Sequence, residues 1–242
     1  YCFCTKEELG TQRQAALTQG LAPKYSGKCR ALTAAVVNKK LAAGENHIIR
    51  FKVPETNIAF KDLIRGEITF DTALLGDIAI AKSPKTPLYN FAVVVDDEAM
   101  DISHVIRGED HIANTPKQIL IQKALGFRQP HYAHLPLILD PNRSKMSKRY
   151  SATAIAEYQQ AGYLPEALVN FLALLGWHPK TDKEVMPLDE MVSEFELERV
   201  QKAGAVFNVE KLKWINTQYL KKLTMHDLAQ SLHLEPTEKN LK

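Results

Sequence analysis

Cysteine is scarce: Cys2, Cys4 and Cys29 are the only three in 242 residues. An odd count, with two of them one residue apart, makes a poor disulfide framework. A reducing compartment with metal binding fits better, so a cytoplasmic location is expected. Long apolar runs are missing as well. No stretch approaches the ~18 consecutive apolar residues of a membrane span, and no membrane partner is expected. Neither sign of charge dominates. Lys and Arg number 31 against 28 Asp and Glu, a net charge of +3, which permits contact with nucleic acid without arguing for it. The opening "YCFCTKEELG" lacks the basic start and apolar core of a secretory leader. It also lacks an initiator methionine, so the chain reads as beginning mid-protein, with an upstream part before Tyr1. Internal repeats and low-complexity tracts are absent from the sequence too.

What remains is the profile of a soluble globular protein, 45% hydrophobic and 24% charged. The length allows one large domain or two to three small ones. "TKEELGTQRQAALTQG" reads as a helix with a capping box, Thr5 and Glu8, and a stop at Gly20. "ALTAAVVNKKLAAG" reads as a second helix, closed by Gly44. "HIIRFKVP", "EITF", "DIAIA" and "LYNFAVVV" are short and rich in β-branched and aromatic residues, so they read as strands of a small α+β unit. Two prolines in "KSPKTPL" place a boundary near Lys82 to Leu88.

From Tyr89 to Leu139 the expected order is strand, short helix, strand, helix, strand. "NFAVVV" and "LPLIL" are continuous apolar runs, as in strands buried on both faces of a parallel sheet. "NTPKQILIQKALG" between them reads as a helix capped at Asn114 or Thr115, with Pro116 in its first turn and Gly126 at its end. That crossover suggests half of a doubly wound α/β domain. After Arg149 no strand is expected. "ATAIAEYQQAG", "LPEALVNFLALLG", "LDEMVSEF", "VEKLKWINTQYLKKL" and "HDLAQSLH" all read as helices.

"SKMSKRYS", residues 144–151, follows the last apolar run and a turn at Asp140, Pro141 and Asn142. In open α/β sheets, ligands bind beyond the carboxyl ends of the strands. Lysines there can neutralise charge developing on phosphate, and Ser147 with its neighbouring N–H groups can add hydrogen bonds. A solvated basic turn would have the same composition. Met146 stands out, because an apolar residue inside a charged loop needs a socket. The three cysteines could bind Zn²⁺, but a structural site wants four ligands and the fourth stays open. Three buried or free thiols are the alternative.

"KMSKR" after "LPLILDPNRS" resembles the second signature of class I aminoacyl-tRNA synthetases. "VVVDDEAMDISHVIRGEDHIANTPKQILIQKALG", "GYLPEALVNFLALLGW" and "AVFNVEKLKWIN" resemble the bacterial-type glutamyl-tRNA synthetases, in order along almost the whole chain. The resemblance implies an α/β fold. It would hold the second half of a doubly wound class I catalytic domain at 89–144 and an inserted α+β acceptor-binding domain at 1–88. A signature loop with a helical stem-contact domain would follow at 145–224, and the start of an anticodon-binding helical region at 225–242.

The implied activity is ATP-dependent attachment of L-glutamate to tRNA(Glu) through glutamyl-adenylate. ATP with Mg²⁺, glutamate and the tRNA would be its partners, and the protein would act as a monomer. Lys148 would contact the ATP phosphates, supported by Lys145 and Ser147. Asp110 and His111 match the segment that approaches the nucleotide, although His111 could equally be a core histidine. Tyr89 and Arg107 match positions lining the glutamate pocket. A guanidinium suits a carboxylate, although Arg107 could instead pair with Glu109 or Asp110. The resemblance also extends to a zinc site in the insertion, with Tyr25 as the fourth ligand beside Cys2, Cys4 and Cys29. Ala31, where other members carry a ligand, cannot bind. The first class I signature of that family is absent, so the isolated chain is expected to be inactive. A paralogue that glutamylates a modified base of tRNA(Asp) is a second reading, opposed by the intact "KMSKR". A non-catalytic tRNA-binding protein is a third.

Overall fold

The first helix, α1 (Lys6–Thr18), begins where local chemistry dictates. Thr5 Oγ1 accepts from the Glu8 N–H at 3.2 Å, and Glu8 Oε2 accepts from the Thr5 N–H at 3.1 Å. This reciprocal cap satisfies two of the N–H groups a helix start leaves unpaired. α2 (Ala34–Ala42) is capped by Thr33 and followed by Gly44 in the left-handed region. The computed structural model describes residues 1–146, 154–224, 226 and 227. They divide into two units, Tyr1–Ala133 and His134–Lys242.

In the first unit, β1 (Ile49–Phe51), β4 (Ile78–Ser83) and β5 (Thr86–Pro87) form an antiparallel sheet in the order β1-β4-β5. The proline-containing stretch 82–88 is therefore largely a hairpin. A second sheet has the order β3-β2-β7-β6, from β2 (Asn57–Asp62), β3 (Gly66–Asp71), β6 (His104–Gly108) and β7 (His131–Leu135). β2 pairs antiparallel with β3 and parallel with β7, so this sheet is mixed. The sequence reading missed β2, although alternate residues Ile58, Phe60 and Asp62 are buried, the period of a strand with one covered face. Ile58 and Phe60 pack with Val53, Ile119, Leu120 and Tyr132 in the core of this unit.

The expected strand "NFAVVV" is instead helix α3 (Tyr89–Ala99). Val94 is its buried position, Asn90, Phe91, Ala92, Val93 and Asp97 are partly covered, and Val95, Asp96 and Glu98 are exposed. Polar Asn90 and Asp97 share the covered set with the apolar run, which hid the helix behind its valines. α4 (Thr115–Leu125) matches its expected span, with Pro116 in the first turn and Gly126 in the left-handed conformation at its end. Asn114 makes no side-chain cap, because a 3-10 turn over Glu109–Asn114 leads directly into the helix.

In the second unit "LPLIL" is not one strand. β7 stops at Leu135, and β8 (Ile138–Leu139) belongs to a different sheet. Pro136, which has no N–H to donate, lies between them. β8 pairs in parallel with β9 (Ala205–Val206), a strand where only helices were expected. α5 (Ile155–Gln160), α6 (Pro165–Gly176), α7 (Leu188–Glu194) and α8 (Val209–Leu220) bear out the four helices read between 152 and 224. Leu164, Ala167, Phe171, Phe207, Leu212 and Ile215 form the core there. The last expected helix, "HDLAQSLH", lies almost wholly outside the described residues.

Candidate functional site

Cys2 is placed by a two-way backbone bridge, its N–H and C=O each bonded to Ile48 at 2.9 Å. Cys4 is the last turn of chain before the Thr5 cap. Tyr25 and Cys29 come from the loop after α1, and the Cys29 N–H donates to Tyr25 Oη at 2.7 Å. These local constraints gather four side chains from two segments. The three sulfurs lie within 4.8 Å of one another. Cys4 Sγ is 3.7 Å from Cys29 Sγ, and Tyr25 Oη is 3.4 Å from Cys2 Sγ and 3.9 Å from Cys4 Sγ. A tetrahedral ion with Zn–S bonds near 2.3 Å needs S···S edges of roughly 3.8 Å and S···O edges of roughly 3.6 Å. The Cys4–Cys29, Tyr25–Cys2 and Tyr25–Cys4 separations lie within about 0.3 Å of these edges, so the donor set suits such an ion.

Electrostatics differ among these groups. Burial pushes the Cys2 thiol up, but hydrogen bonds from Tyr25, the Cys4 backbone and Arg50 outweigh it and bring the pKa down to about 7. Burial, reinforced by hydrogen bonding to Cys2 and Cys29, raises Cys4 to about 11. Burial and the neighbouring thiols also raise Tyr25. Cys2 is thus a readier thiolate than Cys4, and metal uptake must displace at least the Cys4 proton.

The second constellation is built on α3, β6 and α4. Arg107, in β6, donates through Nη2 to Thr115 Oγ1 and to Gln118 Oε1, both at 2.8 Å. Thr115 and Gln118 are buried one helical turn apart on α4, and Gln118 Nε2 donates to Asn90 Oδ1 at 3.0 Å. Glu109, one candidate for an ion pair with Arg107, pairs with Arg65 at 2.5 Å. Tyr89 is exposed, its hydroxyl 3.4 Å from His111 Nδ1. His111 is no sealed core histidine: it is partly exposed and also contacts Asn114 Nδ2 at 3.3 Å. Asp110 folds back over Gly108, where an added Cβ would meet Asp110 Oδ1 at 2.7 Å. Tyr89, His111, Thr115, Arg107, Gln118 and Asn90 are thus linked in one chain of polar contacts that runs from exposed Tyr89 to the buried side of α4. The cradle residues Thr115, Gln118 and Asn90 escaped the sequence reading. Thr115 and Gln118 are spaced i, i+3 on a helix that also carries Lys117, Gln122 and Lys123, so nothing in the sequence set them apart.

In the second unit the turn before the basic loop is closed by Asp140. Its Oδ1 accepts from the Ser144 N–H at 2.9 Å, and its own N–H donates to Ser144 O at 2.8 Å. Lys145 bridges to Leu139, and the Met146 N–H donates to Ile138 O at 3.0 Å. Met146 packs against the helical core around Phe171 and Phe207, which is the socket its sequence context called for. Ser147 and Lys148 lie outside the described residues.

Residues 1–214 match the family described as tRNA synthetases class I (E and Q), catalytic domain. The glutamate–tRNA ligase of Carboxydothermus hydrogenoformans is 52% identical over 222 residues, covering 91% of this chain and 46% of the relative. That of Heliobacterium modesticaldum is 51% identical over 229 residues, 94% of this chain and 46% of its own. The chain spans about half the length of these curated relatives. The crystal structure of a glutamate tRNA ligase from Elizabethkingia meningosepticum, in complex with its amino acid, aligns with a TM-score of 0.84 at 35% identity. It covers 98% of this chain and 54% of that one. Fold and matched span together define a catalytic region of the class I tRNA synthetases. Within that class, the chain belongs to the E and Q family.

Proposed function

We propose that this chain serves the ATP-dependent attachment of L-glutamate to tRNA(Glu). The observation that supports this most directly is the cradle that presents Arg107, with its Nη2 tied to two buried acceptors beside exposed Tyr89. A guanidinium oriented in this way suits a carboxylate of the amino acid, and the tyrosine hydroxyl supplies a second polar contact. The α-carboxylate oxygen of glutamate attacks the α-phosphorus of ATP. The bond from that phosphorus to the bridging oxygen breaks, and pyrophosphate leaves with the electron pair. A ribose hydroxyl at the tRNA terminus then attacks the acyl carbon and AMP departs. Such chemistry depends on positioning and on neutralising phosphate charge. Mg²⁺ accompanies ATP as counter-ion. Lys148, with Lys145 and Ser147, is assigned to the phosphates, and Asp110 with His111 to the nucleotide side. The relatives' printed name, glutamate–tRNA ligase, supports the choice of amino acid.

Cys2, Cys4, Tyr25 and Cys29 would hold a structural Zn²⁺, since four protein ligands leave no position for a reacting water. Its contribution there is to tie the N-terminal strand to the loop after α1. The test of the catalytic reading is glutamate binding by calorimetry and glutamate-dependent pyrophosphate exchange, using the intact protein and its Arg107→Ala and Arg107→Lys variants. Lysine should be nearly as damaging as alanine, because a point ammonium cannot replace a planar fork. A Kd shifted by less than about twofold in Arg107→Lys, roughly 0.4 kcal/mol, would exclude the assigned role.

A further inference from the structure

The 3-10 turn over Glu109–Asn114 runs directly into α4, so residues three apart across the junction lie over one another. His111, Asn114 and Lys117 form such a row, each in contact with the next. Lys117 Nζ donates to Asn114 Oδ1 at 3.3 Å, and Asn114 Nδ2 stands 3.3 Å from His111 Nδ1. Tyr89 Oη lies 3.4 Å from the same ring nitrogen. Among the described residues, His111 Nε2 makes no hydrogen bond.

The chemistry of these groups leaves one arrangement of protons. An ammonium can only donate, so the amide atom that meets Lys117 is the carbonyl oxygen. Turning the amide round would set N–H against N–H. The NH₂ group of Asn114 therefore faces the ring. An amide nitrogen has no lone pair to offer, so it donates, and His111 Nδ1 must accept. A ring nitrogen that accepts carries no proton. The imidazole is then neutral with its proton on Nε2, because the bond made at one nitrogen decides the state of the other. The Tyr89 hydroxyl can donate to the same lone pair. Both separations exceed the ~2.9–3.0 Å of an unshared bond, as expected where two donors divide one acceptor. The pull of the ammonium on the amide oxygen also strengthens the N–H groups at the other end, so the row reinforces itself.

We propose that Asn114 and Lys117 are positioning residues that hold His111 in the Nε2–H tautomer, so that the ring offers a donor, not a lone pair, to an oxygen of the bound nucleotide. The tautomer follows from the contacts alone. The nucleotide as recipient rests on the reading of this site as ATP-dependent. Neither Asn114 nor Lys117 has to touch the substrate, since each acts through His111. The other neutral tautomer would meet a phosphate or ribose oxygen lone pair to lone pair.

Two readouts on the intact protein separate the tautomer from its use. Both are taken at an alkaline pH where the imidazole signal shows the ring to be neutral. The first is long-range nitrogen–proton NMR of isotope-labelled histidine, with His111→Gln identifying the signal. The parent should show a protonated Nε2 and a bare Nδ1. In Asn114→Asp a carboxylate, which only accepts, faces Nδ1, so the proton should move there. In Lys117→Met the amide is free to turn, and the Nδ1–H form should become detectable beside the other. The second readout is the Kd of ATP by calorimetry. Asn114→Asp should weaken ATP about tenfold, the size of one contact to a charged oxygen. Its added negative charge weakens ATP as well, so the same substitution is made in His111→Gln, whose amide supplies a donor with no tautomer to lose. There the loss should be about fivefold smaller, and the difference between the two backgrounds isolates the tautomer. A parent with its proton on Nδ1, or an unmoved proton in Asn114→Asp, overturns the proposal. An unchanged tautomer in Lys117→Met overturns the part given to Lys117. A reversed tautomer with equal ATP losses in both backgrounds upholds the tautomer and overturns its delivery to the nucleotide, which is a failure of the site reading.

Discussion

Replacing Gln118 with leucine separates two jobs that the cradle under Arg107 could do, holding the fold and aiming the guanidinium. Gln118 is 2% exposed, accepts from Arg107 Nη2 at 2.8 Å and donates to Asn90 at 3.0 Å. Leucine fits a similar space but offers neither bond. The charge-assisted bond contributes about 1.5–3 kcal/mol, and leaving Asn90 without its donor costs about 1 kcal/mol more. Leucine's greater apolar area returns roughly 1 kcal/mol, so a net destabilisation of about 1.5–3 kcal/mol is expected. Urea unfolding at constant m-value reads this directly.

Binding is the more telling measurement. With Gln118 gone, one of the two bonds at Nη2 that orient the guanidinium is lost, while Thr115 Oγ1 remains. Losing one of two paired bonds to a carboxylate should weaken glutamate about tenfold, near 1.4 kcal/mol. Gln118→Glu gives the contrast. It keeps an acceptor for Arg107 but supplies a competing carboxylate, so glutamate should weaken at least as much with a smaller loss of stability. A Gln118→Leu protein that loses stability yet binds glutamate with the parental Kd would refute the aiming role.

Cys29→Ser should reduce bound zinc to below about a tenth of an equivalent in protein purified without chelator, and cobalt exchange should lose its thiolate bands. Zinc affinity of the parent should rise with pH, because a Cys4 thiol held up to about 11 must release its proton on binding. A pH-independent affinity would contradict that. Gly76→Ala should destabilise more than Gly44→Ala. Both glycines have positive φ, +60° and +71°, costing about 1–2 kcal/mol for any side chain. Only Gly76 would also drive its Cβ to 3.1 Å from Tyr25 O. Equal midpoints in thermal unfolding would show that this close approach is unimportant.

Elements specified by neighbouring residues were legible in the sequence. The Thr5–Glu8 box, the Pro116 start and the Gly126 stop each rest on contacts within a few positions. The cysteine spacing left the fourth ligand open, and the resemblance supplied Tyr25. The structure places that tyrosine among the sulfurs. α3 was misread because valine favours strands on average, and packing of Val94 into the unit overrode that preference. β9 is two residues long and exists only because β8 supplies its partner. The cradle of Arg107 was invisible for a similar reason. Thr115 and Gln118 acquire meaning only once β6 and α4 lie side by side, which no local pattern encodes. Met146 shows the opposite case, an oddity of composition that correctly announced a buried socket.

Tyr25 has two working surfaces. Its hydroxyl touches the sulfurs of Cys2 and Cys4, and its ring lies 3.9 Å beneath the guanidinium carbon of Arg50, which lines a neighbouring cavity. One ring thus joins the thiol cluster to the cavity wall. A substitution at Arg50 should be felt at the sulfurs of Cys2 and Cys4, and a substitution at either cysteine should be felt in how firmly the Arg50 side chain is held, because both act through the placement of Tyr25.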